Sequence, residues 1–291
     1  QAEDGIRDVE RSRGLGDVYK RQDPNDRAYG SLIATLPVGF NNINAHHSEH
    51  RFHSSKQLFA NGFSGGRSFI FDLKDPTIPK LKTNFTNINE FTFPHSFERL
   101  PNGNVLATFQ TIGQENKKEG GLVELDSDGK FVRSAIASDP DIADFIRPYS
   151  LAILPKINRV VSTSADMKEA DLSNVIQVWR LSDLSLIKTI ALEPGPRGNE
   201  HLDPAEPRVL VDGKTVLIST FYCGLYKIDD IKSDNPSAKW VYTFEFNQKY
   251  DCAIPLVSEN YWIQALGSKT AVVSLDTVSY THLTLPTNRE V

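Results

Sequence analysis

Residues 94–136 decide the fold: PHSFERLPNGNVLATF (94–109), then, after a polar connection, GGLVELDSDGKFVRSAI (120–136). A short segment opening on a polar residue turns at Pro101-Asn102-Gly103 into a very apolar one. A third segment ends at Asp126, and a polar fourth follows the Ser127-Asp128-Gly129 turn. Segments rich in Val, Leu and Phe, split by Asn-Gly or Asp-Gly, are hairpin signals because those turns need positive φ at their centre. The same phrase recurs on both sides. It reads HHSEHRFHSSKQLFANG (46–62) with RSFIFDLKDPTIPKLKTNF (67–85), and PYSLAILPKINRVVST (148–163) with NVIQVWRLSDLSLIKTI (174–190). It returns as AEPRVLVDGKTVLIST (205–220) with GLYKIDDIKSDNPSAKWVYTF (224–244), and as CAIPLVSENYWIQALG (252–267) with TAVVSLD (270–276). Four strands per unit of ~45 residues is the pattern of a β-propeller, whose radial repetition leaves only short protected edges. A two-sheet sandwich explains the strands but not a repeating four-strand phase. No stretch keeps a 3.6-residue apolar period long enough for a core helix, and 139–145 is expected to form one turn at most.

The two ends read differently. DVYKRQ (17–22) and VSYTHL (278–283) are translations of the two strands of one DNA sequence, which resembles a transposon end used to tag sequencing libraries. That reading sets 1–22 and 278–291 apart as adapter-derived, like tags and fusion scars. It leaves 23–277 as an incomplete, all-β propeller. Within it, 29–37 (YGSLIATLP) reads as a lone strand ahead of five blades, from a ring of about seven. The chain carries a net charge of −5 and no Lys/Arg cluster, which argues against nucleic acid or an anionic membrane as partner. No apolar run approaches the ~18 residues of a membrane span. There is no CxxC pair, GxSxG, HExxH, P-loop or helix-opening GxGxxG.

Aligning the units superimposes the residues that open each innermost strand: His47 (with His46 beside it), His95, Tyr149, Glu206 and Cys252. Innermost strands line the central channel, so these side chains should converge at one mouth. Imidazoles with a thiolate suit copper or zinc. His201, on the loop before Glu206, could reach the same mouth. Because alternate residues of a strand point to opposite sides, at most one of His46 and His47 is expected to line the channel. His50 and His53 read as surface residues, and Cys223 has weaker support as a ligand than Cys252.

At these residues the chain resembles the selenium-binding protein family, which includes bacterial methanethiol oxidase. The carrying segments are NAHHSEHRF, LFANGFSGGRSFIFDLKDP, PHSFERLPNGNVLATFQ, GGLVELD, IQVWRLSDL and HLDPAEPRVLVDGKTVLISTFYCGLYKI, which together span most of 29–276. The resemblance implies a seven-bladed propeller with metal-associated histidines at the His-His pair and the PHSF histidine. Oxidase members of the family are copper-dependent and convert methanethiol with oxygen to formaldehyde, sulfide and peroxide. This chain departs from the family pattern in having HHSEH without the Trp of an HHxxW-type motif. It also has Cys223 in FYCG where some members carry His in WxHG, and a further histidine motif would lie beyond 277. The expectation is therefore a copper-binding oxidoreductase acting on a small sulfur compound. His46, His47, His95, His201 and Cys252 are its candidate ligands, and Tyr149 and Glu206 its proton-handling residues. The expected compartment is periplasmic or secreted. The rival expectation is a non-catalytic propeller that presents one face to a protein or small ligand.

Overall fold

The computed structural model describes residues 27, 31–41, 43, 45–49, 53–142, 145–167, 172–210 and 212–244, and the backbone of four short strands between 255 and 284. All regular structure among them is β-strand apart from two single 3₁₀ turns, Phe63–Gly65 and Pro155–Ile157. No described helix is long and apolar enough to cross a membrane.

The strands form successive antiparallel sheets, each built from consecutive segments and paired in sequence order. Blade one comprises Ala45–Ser48, Gln57–Gly62, Arg67–Asp72 and Lys80–Phe85. Blade two comprises Phe91–Arg99, Val105–Ile112, Gly121–Leu125 and Phe131–Ile136, with the two-residue strand Asn87–Ile88 added against Phe91 and Thr92. Blade three comprises Pro148–Leu154, Arg159–Ser164, Val175–Arg180 and Leu186–Ala191. Blade four comprises Pro204–Val209, Val216–Thr220, Gly224–Asp229 and Ser237–Thr243. Blade five comprises Pro255–Ser258, Tyr261–Gln264 and Ala271–Ser274, with Leu283–Thr284, inside the 278–291 segment, paired to the last of them. Inner strands of consecutive blades touch one another, as radial packing requires.

The hairpin turns are those the sequence announces. Gly103 closes the first hairpin of blade two with φ +89°, its amide donating to the Leu100 carbonyl. Gly129 does the same at the Asp126 turn with φ +80°, where Asp126 Oδ1 also accepts from the Asp128 and Lys130 amides. A side chain at either position would force an L-residue into a strained backbone.

The core lies between blades. Val105, Ala107 and Phe109 of blade two pack with Phe59 and Ile70 of blade one. Leu106, from the same strand, packs on the other face with Leu151, Val160 and Trp179 of blade three. Blades three and four share Val161, Ile176, Val178, Val216, Ile218 and Tyr226. The second strands of blades two, three and four are buried along their whole length, on both faces, so their sequences show no strict apolar–polar alternation. Residues 31–38 carry no strand pairing among the described residues.

Candidate metal centre

The inner strands are interrupted at one equivalent point. In blades one to four the pairing with the second strand slips by one residue, so two inner-strand residues stand opposite one. His46 and His47 stand opposite Asn61, and His95 and Ser96 opposite Thr108. Tyr149 and Ser150 stand opposite Thr163, and Ala205 and Glu206 opposite Ser219. Such bulges suspend the alternation of side chains and re-aim them. Two sequence expectations change as a result. His46 and His47 both reach the site, because the bulge cancels the up-down rule that should have divided them. The repeat register also moves by one: Tyr149 is equivalent to Ala205, and Glu206 to Ser150, Ser96 and His47.

In blades one to three the residue opposite the bulge meets the hydrogen-bonding need that the bulge creates. Asn61 Oδ1 accepts from the His47 amide at 2.6 Å, and its Nδ2 donates to the Pro94 carbonyl of the next blade at 3.2 Å. Thr108 Oγ1 accepts from the Ser96 amide and donates to the Tyr149 carbonyl, both at 2.9 Å. Thr163 Oγ1 accepts from the Ser150 amide at 3.1 Å and donates to the Ala205 carbonyl at 2.5 Å. Each blade is thereby fastened to its neighbour at the level of the site. Next to it, a buried ion pair links blades one and two, with Arg99 Nε and Nη2 donating to the two Glu49 oxygens at 2.7 and 2.6 Å.

What these bulges assemble is a group of three imidazoles. One nitrogen from each of His46, His47 and His95 lies within 4.8 Å of the other two, and this is the sole such group of His, Cys, Asp or Glu ligand atoms among the described residues. Ring centroids are 4.5 Å apart for His46 and His47, 4.9 Å for His46 and His95, and 4.3 Å for His47 and His95. His46 faces solvent, while His95 is fully buried. Phe63 stands beside His46 and His95, Tyr149 lies against His47 and His95, and Phe221 closes on Tyr149.

The donor atoms are prepared for a ligand. His95 Nδ1–H donates to the Tyr149 carbonyl at 2.7 Å, which leaves Nε2 as the lone-pair nitrogen. That Nε2 is buried and has no hydrogen-bond partner. An orphaned buried acceptor is costly unless something unseen satisfies it, and a cation held jointly with two other imidazoles would do so. Burial, then the neighbouring imidazoles, holds the His95 ring well below the usual histidine range. His47 is pushed down to about 3 by burial, by His46 and by Arg208. Burial also lowers His46, partly opposed by Glu206. All three rings are therefore neutral at physiological pH, the state in which imidazole ligates a metal. Burial, reinforced by Glu206, pushes the Tyr149 phenol up, so it remains protonated, and its hydroxyl lies 3.3 Å from His47 Nε2. Glu206 approaches His47 Nδ1 to 3.7 Å and is ion-paired with Arg208 Nη1 at 2.7 Å.

Of the residues nominated from sequence, His46, His47, His95, Tyr149 and Glu206 come together here. His201 lies on the loop entering blade four, half-buried, and is outside the imidazole group; its Nδ1 is buried without a hydrogen-bond partner. Cys252 lies outside the described residues. Cys223 is buried and disulfide-bonded, so it offers no thiolate. Sequence reading missed Ser96, Ser150 and Arg208. The available signal was two successive polar or small residues (HH, HS, YS, AE) at one place in the inner strands of blades one to four.

No family model matches the chain. It is 33% identical to a methanethiol oxidase from a Hyphomicrobium species over 127 residues, which is 41% of this chain and 28% of that protein. The chain is thus aligned to less than a third of its curated relative. A hypothetical selenium-binding protein from Sulfolobus tokodaii superposes with a TM-score of 0.69 at 14% identity, covering 91% of this chain and 69% of that one. The Cps50 (Swd1) β-propeller domain of Myceliophteria thermophila gives 0.57 at 10% identity, over 83% and 74% of the two chains. The structural likenesses establish a β-propeller. The sequence likeness to methanethiol oxidase agrees with the resemblance that the histidine motifs carry.

Proposed function

We propose that this chain is a copper-binding propeller oxidoreductase whose substrate is a small sulfur compound. The observation that carries the reading is the buried, unpartnered His95 Nε2 within 4.8 Å of a nitrogen from each of His46 and His47. Neutral imidazoles suit copper and zinc, and the similarity to a methanethiol oxidase favours copper. Copper held there would supply an electron acceptor and a positive charge that favours a bound thiol as thiolate. The protein's own residues set the surroundings. The Tyr149 carbonyl fixes the His95 tautomer, and the protonated Tyr149 hydroxyl offers a hydrogen bond at the group. Phe63 and Phe221 give the site apolar walls suited to a small alkyl substituent. A periplasmic or secreted location fits the disulfide at Cys223, since such bonds persist in oxidising compartments.

The test is anaerobic copper titration of the purified protein, followed calorimetrically. Stoichiometric uptake that falls at least ~10-fold in affinity in His95→Ala is expected. Equal uptake by both proteins, or none by either, would overturn the copper reading and leave a binding module of the kind this fold often hosts.

A further inference from the structure

The bulges create a second arc beside the imidazole group. The second residue of each bulge is His47, Ser96, Ser150 and Glu206 in blades one to four, and their side chains touch in that order. His47 Nδ1 is 2.8 Å from Ser96 Oγ, Ser96 Oγ is 3.4 Å from Ser150 Oγ, and Ser150 Oγ is 2.9 Å from Glu206 Oε2. Ser96, Ser150 and Glu206 are each at most 2% exposed, so water does not substitute for these contacts.

We propose that Ser96 and Ser150 are positioning residues: with Glu206 as terminal acceptor, they form a one-way hydrogen-bond relay that holds His47 in the Nδ1–H tautomer and turns its Nε2 lone pair toward His46 and His95. The proposal rests on the metal-site reading for its purpose but not for its geometry.

The direction follows from counting protons. A carboxylate oxygen already accepting from the Arg208 guanidinium only accepts, so Ser150 donates to Glu206. Each serine has one hydroxyl proton. With Ser150's committed, the contact between the two serines is satisfied only if Ser96 donates to Ser150. Ser96 then has lone pairs left for its third neighbour, and His47 Nδ1 must carry the proton. In the reverse arrangement Ser96 donates to His47 Nδ1, two serine lone pairs face each other in a buried space, and the His47 proton moves to Nε2. Glu206 Oε1, 3.7 Å from His47 Nδ1, biases the same way, since its negative charge favours the proton on the nearer nitrogen. His95 reaches the same tautomer by a different device, the Tyr149 carbonyl. Both rings thus present Nε2 to one site, each with Nδ1–H tied to a fixed acceptor, which is how ligating histidines are oriented.

The test uses Ser150→Ala and Ser96→Ala, which remove one hydroxyl each and change no charge. Ser162→Ala serves as control, because it removes a buried hydroxyl that bonds Trp179 and not the relay. Two readouts are taken: the His47 tautomer in metal-free protein, from long-range proton–nitrogen NMR correlations, and affinity for copper. The wild type should show His47 as Nδ1–H. Both relay variants should shift it toward Nε2–H and weaken copper binding ~10–100-fold, while Ser162→Ala leaves the tautomer unchanged. A wild-type His47 protonated on Nε2 would overturn the relay, as would relay variants with an unchanged tautomer. A tautomer shift in protein that binds no copper would uphold the relay and overturn the metal reading. Copper binding with an unmoved tautomer would do the opposite.

Discussion

His95 shows how a single residue is committed to a task by its surroundings. It has no solvent exposure, one ring nitrogen tied to a carbonyl and the other tied to nothing. Keeping it neutral has a consequence for stability in the metal-free protein. The unfolded chain protonates its imidazoles below pH ~6.5, whereas native His47 stays neutral to about 3 and native His95 stays neutral well below the usual range. The unfolded state then binds more protons than the native one, so stability is complete above pH ~6.5 and is lost as pH falls toward the native values. Metal-free protein should therefore unfold at progressively lower urea between pH 7.5 and 5. The slope attributable to His95 should approach ~1 kcal/mol per pH unit at the acid end and should vanish in His95→Asn. An identical pH slope in wild type and variant would show that His95 is not held neutral.

At the scale of the element, the bulge is what turns a repeat into a site. It places two consecutive side chains per blade at the same level and leaves an inner-strand amide for Asn61, Thr108 or Thr163 to satisfy. Thr108→Val keeps shape but deprives the Ser96 amide of its partner and the Tyr149 carbonyl of one of two donors. Leaving a buried backbone group unpaired costs about 1–3 kcal/mol, so a loss of that size is expected in chemical unfolding. A loss below ~0.5 kcal/mol would mean the amide finds another partner. The bulge also marks where the sequence stopped being legible. Hairpin turns are local, and Asn102-Gly103 and Asp128-Gly129 announced theirs correctly. A one-residue slip is a relation between two strands, and the dipeptides HH, HS, YS and AE mark its place only when the blades are set side by side. Hence the sequence pattern aligns Tyr149 with Glu206 instead of Ala205 and sets His46 against His47. The histidines, Tyr149 and Glu206 stood out as unusual residue types in an apolar repeat. Ser96 and Ser150 did not, because serine is common in strands and its role here depends on neighbours in other blades.

At the scale of the whole molecule, stability should be graded from the hub outward. In blade two the second strand is buried on both faces and joins two cores, whereas the outer strand covers one face: all eight residues of Val105–Ile112 are buried, while Val132 of the outer strand is 45% exposed. Leu106 is fully buried among Leu122, Leu151, Val160 and Trp179, which belong to blades two and three. Truncating it opens a cavity between two sheets that are each pinned on their other side and so collapse poorly around the gap. Leu106→Ala should cost ~2–5 kcal/mol. Val132→Thr, on the exposed face of an outer strand, should stay within about 0.5 kcal/mol. Because Leu106 sits one strand behind the bulge carrying His95, its loss should also loosen the imidazole group. Copper affinity should then fall in Leu106→Ala even at temperatures where the protein is fully folded, and remain unchanged in Val132→Thr. Matched urea unfolding and copper titration of the two variants check this directly. Equal destabilisation by both would show that the blades do not stabilise one another through their second strands, and unaltered copper affinity in folded Leu106→Ala would show that the bulges hold the site without help from the core behind them.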